Sequence, residues 1–585
     1  MRICNLLDMR ALALVLLAAA LLGSRGARAA EGDEPVRAAT QMVVAANPHA
    51  ARAGLGILRN GGSAVDAAVA VQLVLSLVEP QSSGVGGGAF MLHLDAADDA
   101  AGEGVVTAYE GRETAPGAAT PDMFLGPDGG ELPFMAAGFG GLPVGVPGVM
   151  RMLEVAHREH GRLPWRDLFA PAIELAETGF EISPRLYFLL DRFAGVARAE
   201  AFRRHYYDAE GRARPTGFRL VNADYAATLR LLAERGAEAM YSGPLAEAIV
   251  AAVRENEIGA GRMTLEDLRN YRAHKGEPLC SAYRRWRVCG PRPPSSGGIA
   301  VQQILGMLAP FDLSALAGAA PRSIHLVAEA SRLAFADRNF YLADPAFVEV
   351  PVDALLGRSY LEARAALIDP GAAMRNVAPG RPLALAAWNY APSAFSEVAS
   401  TSHFSITDRW GDAVSMTTSV QGAFGSQLMV GGFILNNQLT DFSFEPEANG
   451  VPVANRAEGG KRPLSSMTPT FVFDAEGRLR VVVGSPGGTR IINYVAQTLV
   501  GMLDWGLNVQ EAVAAPHFLA QRGLVELEER TDLLEHTEAL EALGHRVAAR
   551  NLNSGLHAIA IDYTDAGRVI LGGVDPRREG LAVGD

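Results

Sequence analysis

The chain has 585 residues, of which 49% are apolar, and a formal net charge of −13. Its length and apolar content allow a large buried core, as in a globular protein. The excess of acidic residues argues against nucleic acid as a partner.

The first 29 residues have the pattern of a secretory signal. Arg2 and Arg10 precede or border the apolar run 11–22, and the small residues of 27–29 precede a cleavage point. The run is too short to span a bilayer comfortably. A buried N-terminal helix is the alternative, but no later segment offers it an amphipathic partner face. We therefore expect a periplasmic or secreted protein without a membrane span after removal of the signal.

Two helices are predicted next, within residues 47–80. Asn47 is the expected cap of the first, and Ser63 with Asp66 forms a capping box for the second. The second helix is apolar almost all round, which predicts burial against a sheet.

A glycine-rich segment, "GVGGGA" at 84–89, satisfies the letters of a dinucleotide-binding fingerprint. A helix precedes it and a strand follows, which is the reverse of the order that pyrophosphate binding requires. We therefore interpret it as a hinge between helix and strand. Helical patterns then dominate residues 145–270 and 322–345.

Cys280 and Cys289 flank the segment "CSAYRRWRVC". A two-residue turn at Arg284-Arg285 would place the two cysteines opposite each other on paired strands, where a disulfide is possible. The alternative is a pair of buried thiols in a hairpin that turns elsewhere, and the sequence favours neither.

Residues 376–400 are irregular and rich in Ala, Pro and Ser, which predicts an exposed connector. After it, "TSHFSITDRWGDAVSMTTS" reads as two strands around a turn at 408–412. Phe404 and Ile406 share one strand face, whereas Thr401, His403 and Ser405 lie on the other. The alternation predicts a half-buried hairpin with its hydroxyl residues facing solvent.

Several polar clusters lie on glycine turns or at strand ends. Each is commonplace alone, but together they offer a cation for a carboxylate, an anion for an ammonium, hydroxyl donors and adjacent backbone N–H groups. That set suits acyl transfer on an amino-acid-like substrate, and only Thr401 could serve as its nucleophile. The clusters are Arg112, residues 436–438 with Asp441, Ser465-Ser466, and "GSPGG" at 484–488.

With these segments the sequence resembles the gamma-glutamyltransferases (gamma-glutamyl transpeptidases) from about residue 36 to the C-terminus. The ordered matches are "NGGSAVDAAVA", "SSGVGGGAFML", "GRETAP", "PPSSGG", "TSHFS", "NNQ" followed by "DFS", "KRPLSSM" and "GSPGG". The resemblance implies an α/β N-terminal nucleophile hydrolase fold, a four-layer αββα sandwich, made as a precursor that cuts itself. The cut would fall between Ser400 and Thr401, giving a large subunit 30–400 and a small subunit 401–585.

The resemblance also implies residue roles. Thr401 would be the nucleophile, its hydroxyl bound by Ser419, and its own α-amine would take the proton once the cut makes it a chain end. The N–H groups of Gly487 and Gly488 would hold the oxyanion. The substrate α-carboxylate would contact Arg112, Ser465 and Ser466, and its α-ammonium would contact Gln421, Gln438 and Asp441.

Two departures from the family pattern stand out. Ser419 and Gln421 occupy positions that are threonine and asparagine in the well-known bacterial members. The stretch between "DFS" and "KRPLSSM" is also shorter than in members with a lid loop, and it has no tyrosine.

The resemblance predicts transfer of a gamma-glutamyl group from a glutathione-like donor to water, an amino acid or a peptide, without metal or cofactor. The alternatives are a glutaryl-cephalosporin-type acylase or poly-gamma-glutamate amidase of the same fold, or an uncut, inactive secreted binding protein.

Overall fold

The computed structural model describes residues 34–96, 104–316, 318–382, 388–393, 400–521 and 523–585. The expected signal at 1–29 lies outside the described residues, as do 383–387 and 394–399 of the expected connector. Within the described ranges, no helix has the length and apolar character needed to cross a membrane.

Fourteen strands build two large sheets. In chain order they are β1 (Val36–Ala38), β2 (Met42–Ala45), β3 (Gly88–Asp95), β4 (Val105–Gly111), β5 (His274–Gly276), β6 (Leu279–Tyr283), β7 (Trp286–Gly290), β8 (Ser402–Thr407), β9 (Ala413–Ser419), β10 (Thr470–Phe473), β11 (Leu479–Gly484), β12 (His557–Thr564), β13 (Gly567–Val574) and β14 (Leu581–Gly584).

The first sheet has the order β14-β2-β8-β9-β3-β4-β5, and the second has the order β1-β13-β12-β11-β10-β7-β6. All neighbouring strands in both sheets are antiparallel. Shorter strands form small sheets elsewhere: Phe180–Glu181 with Arg219–Leu220, Met429–Val430 with Phe433–Ile434, Glu447–Ala448 with Val451–Pro452, and Phe518–Ala520 with Val525–Glu528 and Val547–Arg550.

The longer helices fall into two groups along the chain. They are α1 (Pro48–Arg59), α2 (Ala64–Val78), α3 (Val149–His160), α4 (Ala170–Thr178), α5 (Pro184–Phe193), α6 (Glu200–Tyr206), α7 (Ala223–Arg235), α8 (Pro244–Arg254) and α9 (Leu265–Asn270), then α10 (Gly297–Leu308), α11 (Pro321–Tyr341), α12 (Arg358–Ala365), α13 (Ile491–Leu503), α14 (Val509–Ala514) and α15 (Thr537–Ala542). Single turns of helix occur at Phe134–Ala137, Trp165–Phe169, Ala194–Val196, Ala237–Met240, Val352–Leu355, Gln438–Asp441, Gly488–Arg490 and Asp532–His536.

Alternation along β2 shows how the layers stack. Met42 and Val44 pack with Phe471 and other side chains of the second sheet, in a core between the two sheets. Val43 and Ala45 point the other way, into the core shared with α1 and α2. On the far side, α10, α11 and α13 pack against the second sheet. Helices therefore cover both outer faces, and the architecture is a four-layer αββα sandwich.

The local signals for the first two helices are confirmed. The Asn47 side chain accepts a hydrogen bond from the backbone N–H of His49, and Ser63 and Asp66 form the capping box. Every residue of α2 is buried, because it lies between the first sheet and the other helices. Cys280 and Cys289 face each other on β6 and β7 and form a disulfide, with the strands turning at Arg284-Arg285.

The hairpin after Ser400 forms as β8 and β9, but the expectation of a solvent-facing side is wrong. All residues of both strands are buried. The hydroxyl-bearing face lies against the second sheet, where Ser405 Oγ donates to the carbonyl of His557 and Ser415 Oγ donates to that of Val483. Partner-sheet carbonyls satisfy these hydroxyls, so alternating Ser and Thr can line an interior layer.

Candidate active site

Thr401 lies immediately before β8, beside the end of the neighbouring strand. Its Oγ1 donates to Ser419 Oγ at 3.2 Å, and Ser419 Oγ also accepts the backbone N–H of Gln421 at 2.8 Å. Thr401 is 4% exposed and has a φ of 136°, a conformation that costs energy in a residue other than glycine. The antiparallel register of β8 and β9 pairs Ser402 with Thr418, which brings the two hydroxyls together.

The bond before Thr401 runs beside the turn that follows α2. Ser400 Oγ donates to the carbonyl of Gln81 at 2.5 Å, and Ser83 Oγ donates to Ser402 Oγ at 3.0 Å. The glycines after this turn permit close backbone approach, because a Cβ on Gly87 would lie 2.1 Å from the Ser419 carbonyl oxygen. The "GVGGGA" segment is therefore part of the wall beneath Ser419.

Asp441 is the centre of the polar pocket. Its Oδ2 accepts from Arg112 Nη2 and from Gln438 Nε2, both at 2.6 Å, and its Oδ1 accepts from Gln421 Nε2 at 3.1 Å. The short turn Gln438–Asp441 sets the spacing of two of these side chains. All four side chains are buried, so their charges interact in a medium that screens them poorly.

Several buried atoms in this pocket have no hydrogen-bond partner among the described residues. They are the acceptors Gln421 Oε1 and Gln438 Oε1, the donor Arg112 Nη1 and both side-chain oxygens of Glu113. The Arg112 group lies 3.6 Å from Glu113 Oε2, too far for a hydrogen bond. Burial raises the pKa of Glu113 to about 8, against the opposing effect of Arg112. Unsatisfied polar atoms are costly in a core, so a ligand or an ordered water that bonds to them would bind favourably.

Arg112 also connects the pocket to the segment that carries the two serines. Its Nε donates to the carbonyl of Pro463 at 3.0 Å and its Nη2 to that of Leu464 at 2.8 Å. Ser465 Oγ accepts the backbone N–H of Met467, and Ser466 Oγ accepts from Arg338 Nη2 at 2.9 Å. Arg112 thus binds the two residues that directly precede the serine pair.

Gly487 and Gly488 lie in the loop between β11 and α13. Their φ angles are 140° and 60°, and a Cβ on Gly487 would lie 2.8 Å from the Tyr494 ring. The loop precedes the N-terminus of α13, where backbone N–H groups are free to bind an anion. Pro486 of this loop lies beside Arg578, since both border the space of a Cβ on Gly555, and Arg578 Nη1 donates to the Thr401 carbonyl at 3.1 Å.

Two arginines near these residues were not predicted from the sequence. Arg578 contacts Thr401 across 177 positions of the chain, and no local pattern marks such a contact. Arg338 joins Ser466 to Ser296, whose backbone N–H and hydroxyl both bind the Ser465 carbonyl. Ser296 belongs to the "PPSSGG" motif, so that motif was the available signal.

The described part of connector 376–400 is only partly exposed. Ala391 donates its N–H to the Pro452 carbonyl, and Ser393 donates to the Asn339 carbonyl. Trp388 packs on Phe340 and Tyr341. The described part of the segment therefore contacts Pro452 and the C-terminal end of α11.

Comparisons with known proteins identify the family of the chain. The sequence model of the family described as Gamma-glutamyltranspeptidase matches residues 50–585. The chain is 36% identical to the glutathione hydrolase proenzyme of Escherichia coli (strain K12) and 34% identical to that of Bacillus subtilis (strain 168), covering 93% of this chain and 91% of each relative. It is also 36% identical to the acylase ACY 1 proenzyme of Pseudomonas sp. (strain V22), over 90% of this chain and 91% of that protein.

Solved structures agree on the fold. A cephalosporin acylase from Bacillus halodurans superposes with a TM-score of 0.82 at 27% identity, covering 96% of this chain and 98% of that one. The gamma-glutamyltranspeptidase of Helicobacter pylori gives a TM-score of 0.56 at 32% identity, covering 62% of this chain and 99% of that one. The predicted N-terminal nucleophile hydrolase fold is confirmed, and the chain belongs to the gamma-glutamyltranspeptidase family.

Proposed function

We propose that the chain cuts itself between Ser400 and Thr401 and then transfers gamma-glutamyl groups from glutathione-like donors to water, amino acids or peptides. The relatives named glutathione hydrolase proenzyme support both parts of this proposal. The observation that carries the donor class is the pocket around Asp441, which holds an anion, a buried cation and two amide oxygens that have no hydrogen-bond partner among the described residues.

The two ends of that pocket fit the two charges of a gamma-glutamyl donor. An α-ammonium has three N–H donors, which match Asp441, Gln421 Oε1 and Gln438 Oε1. An α-carboxylate accepts bonds from Arg112 Nη1 and from the hydroxyls of Ser465 and Ser466. Binding would replace desolvated, unsatisfied atoms with charge-assisted hydrogen bonds, which are the strong ones.

The chemistry would then proceed in two steps. Thr401 Oγ attacks the gamma-carbonyl carbon while its proton passes to the Thr401 α-amine, and the N–H groups of Gly487 and Gly488 hold the oxyanion. Collapse breaks the amide bond, and the proton goes to the leaving amine. Water or an acceptor amine attacks the resulting ester, releases the product and returns the hydroxyl proton to Thr401. These groups supply the nucleophile, the base and the oxyanion donors for the reaction.

An acylase for glutaryl amides is the second candidate, favoured by the resemblance to acylase ACY 1 and to the cephalosporin acylase. A glutaryl group keeps the carboxylate and lacks the ammonium. Such a donor would bring no ammonium to Asp441, which would stay paired with Arg112, and would leave the two amide oxygens unsatisfied, so the pocket fits it less well.

We also propose export to the periplasm or the medium. The Cys280–Cys289 disulfide supports this location, since disulfides persist in oxidising compartments.

The experiment compares gamma-glutamyl and glutaryl p-nitroanilides as donors. Asp441→Asn removes the anion that would pair with the ammonium, and breaking such a pair costs about 2 to 5 kcal/mol, or roughly 30-fold to several thousand-fold in kcat/KM. We expect the ratio of gamma-glutamyl to glutaryl activity to fall by that factor, because only one donor has the ammonium. Arg112→Ala should damage both donors.

The matched control is Asp562→Asn, at an exposed carboxylate that pairs with Arg480, which should leave both rates unchanged. Each variant is first checked for the cut at Thr401. An equal loss on both donors in Asp441→Asn, or a wild-type preference for the glutaryl donor, would overturn the gamma-glutamyl assignment in favour of the acylase.

A further inference from the structure

Arg578 is a cation bound to the nucleophilic residue itself. It lies on the loop between β13 and β14, and its Nη1 donates to the Thr401 carbonyl at 3.1 Å. The rest of the guanidinium is held by one residue, since Nε donates to Asn553 Oδ1 at 2.9 Å and Nη2 lies 3.5 Å from the Asn553 carbonyl oxygen. Arg578 is thus fixed on one side and directed at Thr401 on the other.

The neighbouring loop is shaped to admit this side chain. Gly555 has a φ of 122°, and a Cβ at that position would lie 2.6 Å from Arg578 Cδ and 2.9 Å from Pro486 Cγ. Only glycine fits there without displacing the arginine or the loop that carries Gly487. The lack of a side chain at Gly555 therefore leaves room for the Arg578 side chain to reach from Asn553 to Thr401.

Titratable groups from five elements surround Arg578. Burial lowers its pKa to about 9, and Arg185 adds to that effect while Glu79 and Asp575 oppose it, which leaves the guanidinium charged at neutral pH. The titratable groups that face it or adjoin it are Glu79 after α2, Arg185 on α5, Tyr494 on α13, His557 on β12, and Asp575 and Glu579 on its own loop.

Thr401 needs support of this kind. Its φ of 136° is unfavourable for threonine, so its carbonyl direction must be held by neighbours. We propose that Arg578 is a positioning residue that holds the Thr401 carbonyl. This inference rests on the proposed cut between Ser400 and Thr401, after which the positive charge of Arg578 keeps the new α-amine of Thr401 in the free-base form.

The effect of the Arg578 charge on the pKa of the Thr401 α-amine follows from the distance between the two groups. The nitrogen and carbonyl oxygen of one residue lie about 3 to 3.5 Å apart, so Arg578 Nη1 is within about 7 Å of the Thr401 nitrogen. A unit charge at that range in a partly buried site lowers the pKa of an amine by roughly one to two units. The carboxyl groups of Glu79, Asp575 and Glu579 oppose this effect, so we expect a net lowering of about one unit. An α-amine that is unprotonated at neutral pH can accept the Thr401 hydroxyl proton.

The test is the acid limb of the pH profile of kcat/KM, measured on mature enzyme with whichever amide donor the wild type hydrolyses. Arg578→Gln should move that limb to higher pH by about one unit. Arg578→Lys keeps the charge and should leave it within a few tenths of a unit. Arg358→Gln is the control, at an exposed arginine that pairs with Glu362, and should give the wild-type profile. The pH profile can be measured with any amide donor that the enzyme hydrolyses, so a failed gamma-glutamyl assignment would not affect this result.

Maturation provides the second measurement. Arg578→Gln should cut more slowly than wild type, and Arg578→Lys should restore much of the rate, with thermal unfolding confirming that both are folded. If the glutamine variant stays uncut, the lysine variant decides: cutting supports the cationic role, and a folded but uncut lysine variant overturns it. A wild-type acid limb in mature Arg578→Gln also overturns the proposal.

Discussion

At the scale of single residues, the hydroxyl pair Thr401 and Ser419 defines the proposed nucleophile. Ser419 Oγ accepts the Thr401 hydroxyl and is itself fixed by the Gln421 N–H. A threonine side chain has staggered rotamers, and this bond favours the one that directs Oγ1 toward the strand end. In the proposed reaction, Ser419 would therefore orient the attacking oxygen of Thr401.

Two substitutions of Ser419 should separate the effect of its hydroxyl group from the effect of side-chain shape. Ser419→Ala removes the acceptor in a buried site, which costs about 1 to 3 kcal/mol, or roughly 5-fold to 150-fold in kcat. Ser419→Thr keeps the hydroxyl and adds a methyl group that a strand accommodates, so activity within a few-fold of wild type is expected. The measurement is kcat of the cut enzyme for each variant, and a wild-type rate in Ser419→Ala would remove Ser419 from this role.

At the scale of elements, the site depends on close backbone contacts as much as on side chains. The 84–88 segment joins α2 to β3 and passes beneath Ser419 and Glu113. A Cβ on Gly86 would lie 2.2 Å from the Ile434 carbonyl oxygen, and one on Gly88 would lie 2.5 Å from Glu113 Oε2. The glycines thus let a turn, a strand and the pocket loop meet in one place.

Two glycine substitutions test this packing. Gly87→Ala forces a Cβ to within 2.1 Å of the Ser419 carbonyl, so Ser419 or the turn must move; we expect slower cutting and a stability loss on the order of 1 to 3 kcal/mol. Gly56→Ala is the matched control, in α1 with open space around the added Cβ, and should stabilise by about 0.5 to 1 kcal/mol. Thermal unfolding and the rate of cutting are measured on both, and equal behaviour would contradict the packing role.

Elements with local signals could be predicted from the sequence, whereas layer contacts could not. The capping bonds of Asn47, Ser63 and Asp66 join residues at most three positions apart, so the caps of α1 and α2 follow from the local sequence. The facing of Cys280 and Cys289 needed only a turn between them. By contrast, the alternation in β8 identified its two faces but not what covers the polar one, because a second sheet covers it through residues such as His557, far along the chain.

The same distinction holds at the scale of the whole molecule. The resemblance indicated the four layers and the residues of the pocket, and the structure brings Arg112, Gln421, Gln438 and Asp441 together as one hydrogen-bonded group. It also brings in Arg578, which no motif contained. The β8–β9 hairpin lies at the centre of the first sheet, so a cut before Thr401 would create a chain end beside the pocket without removing any strand.

The measurement that tests the account most directly is the N-terminal residue of the pieces of purified protein. The account predicts a C-terminal piece of residues 401–585 that begins with Thr401, because the α-amine of that residue is the proposed base. Thr401→Ser retains a hydroxyl and should still cut, although more slowly, whereas Thr401→Ala should stay as one folded, inactive chain. Intact wild-type protein, a different first residue, or efficient cutting of the alanine variant would contradict the account.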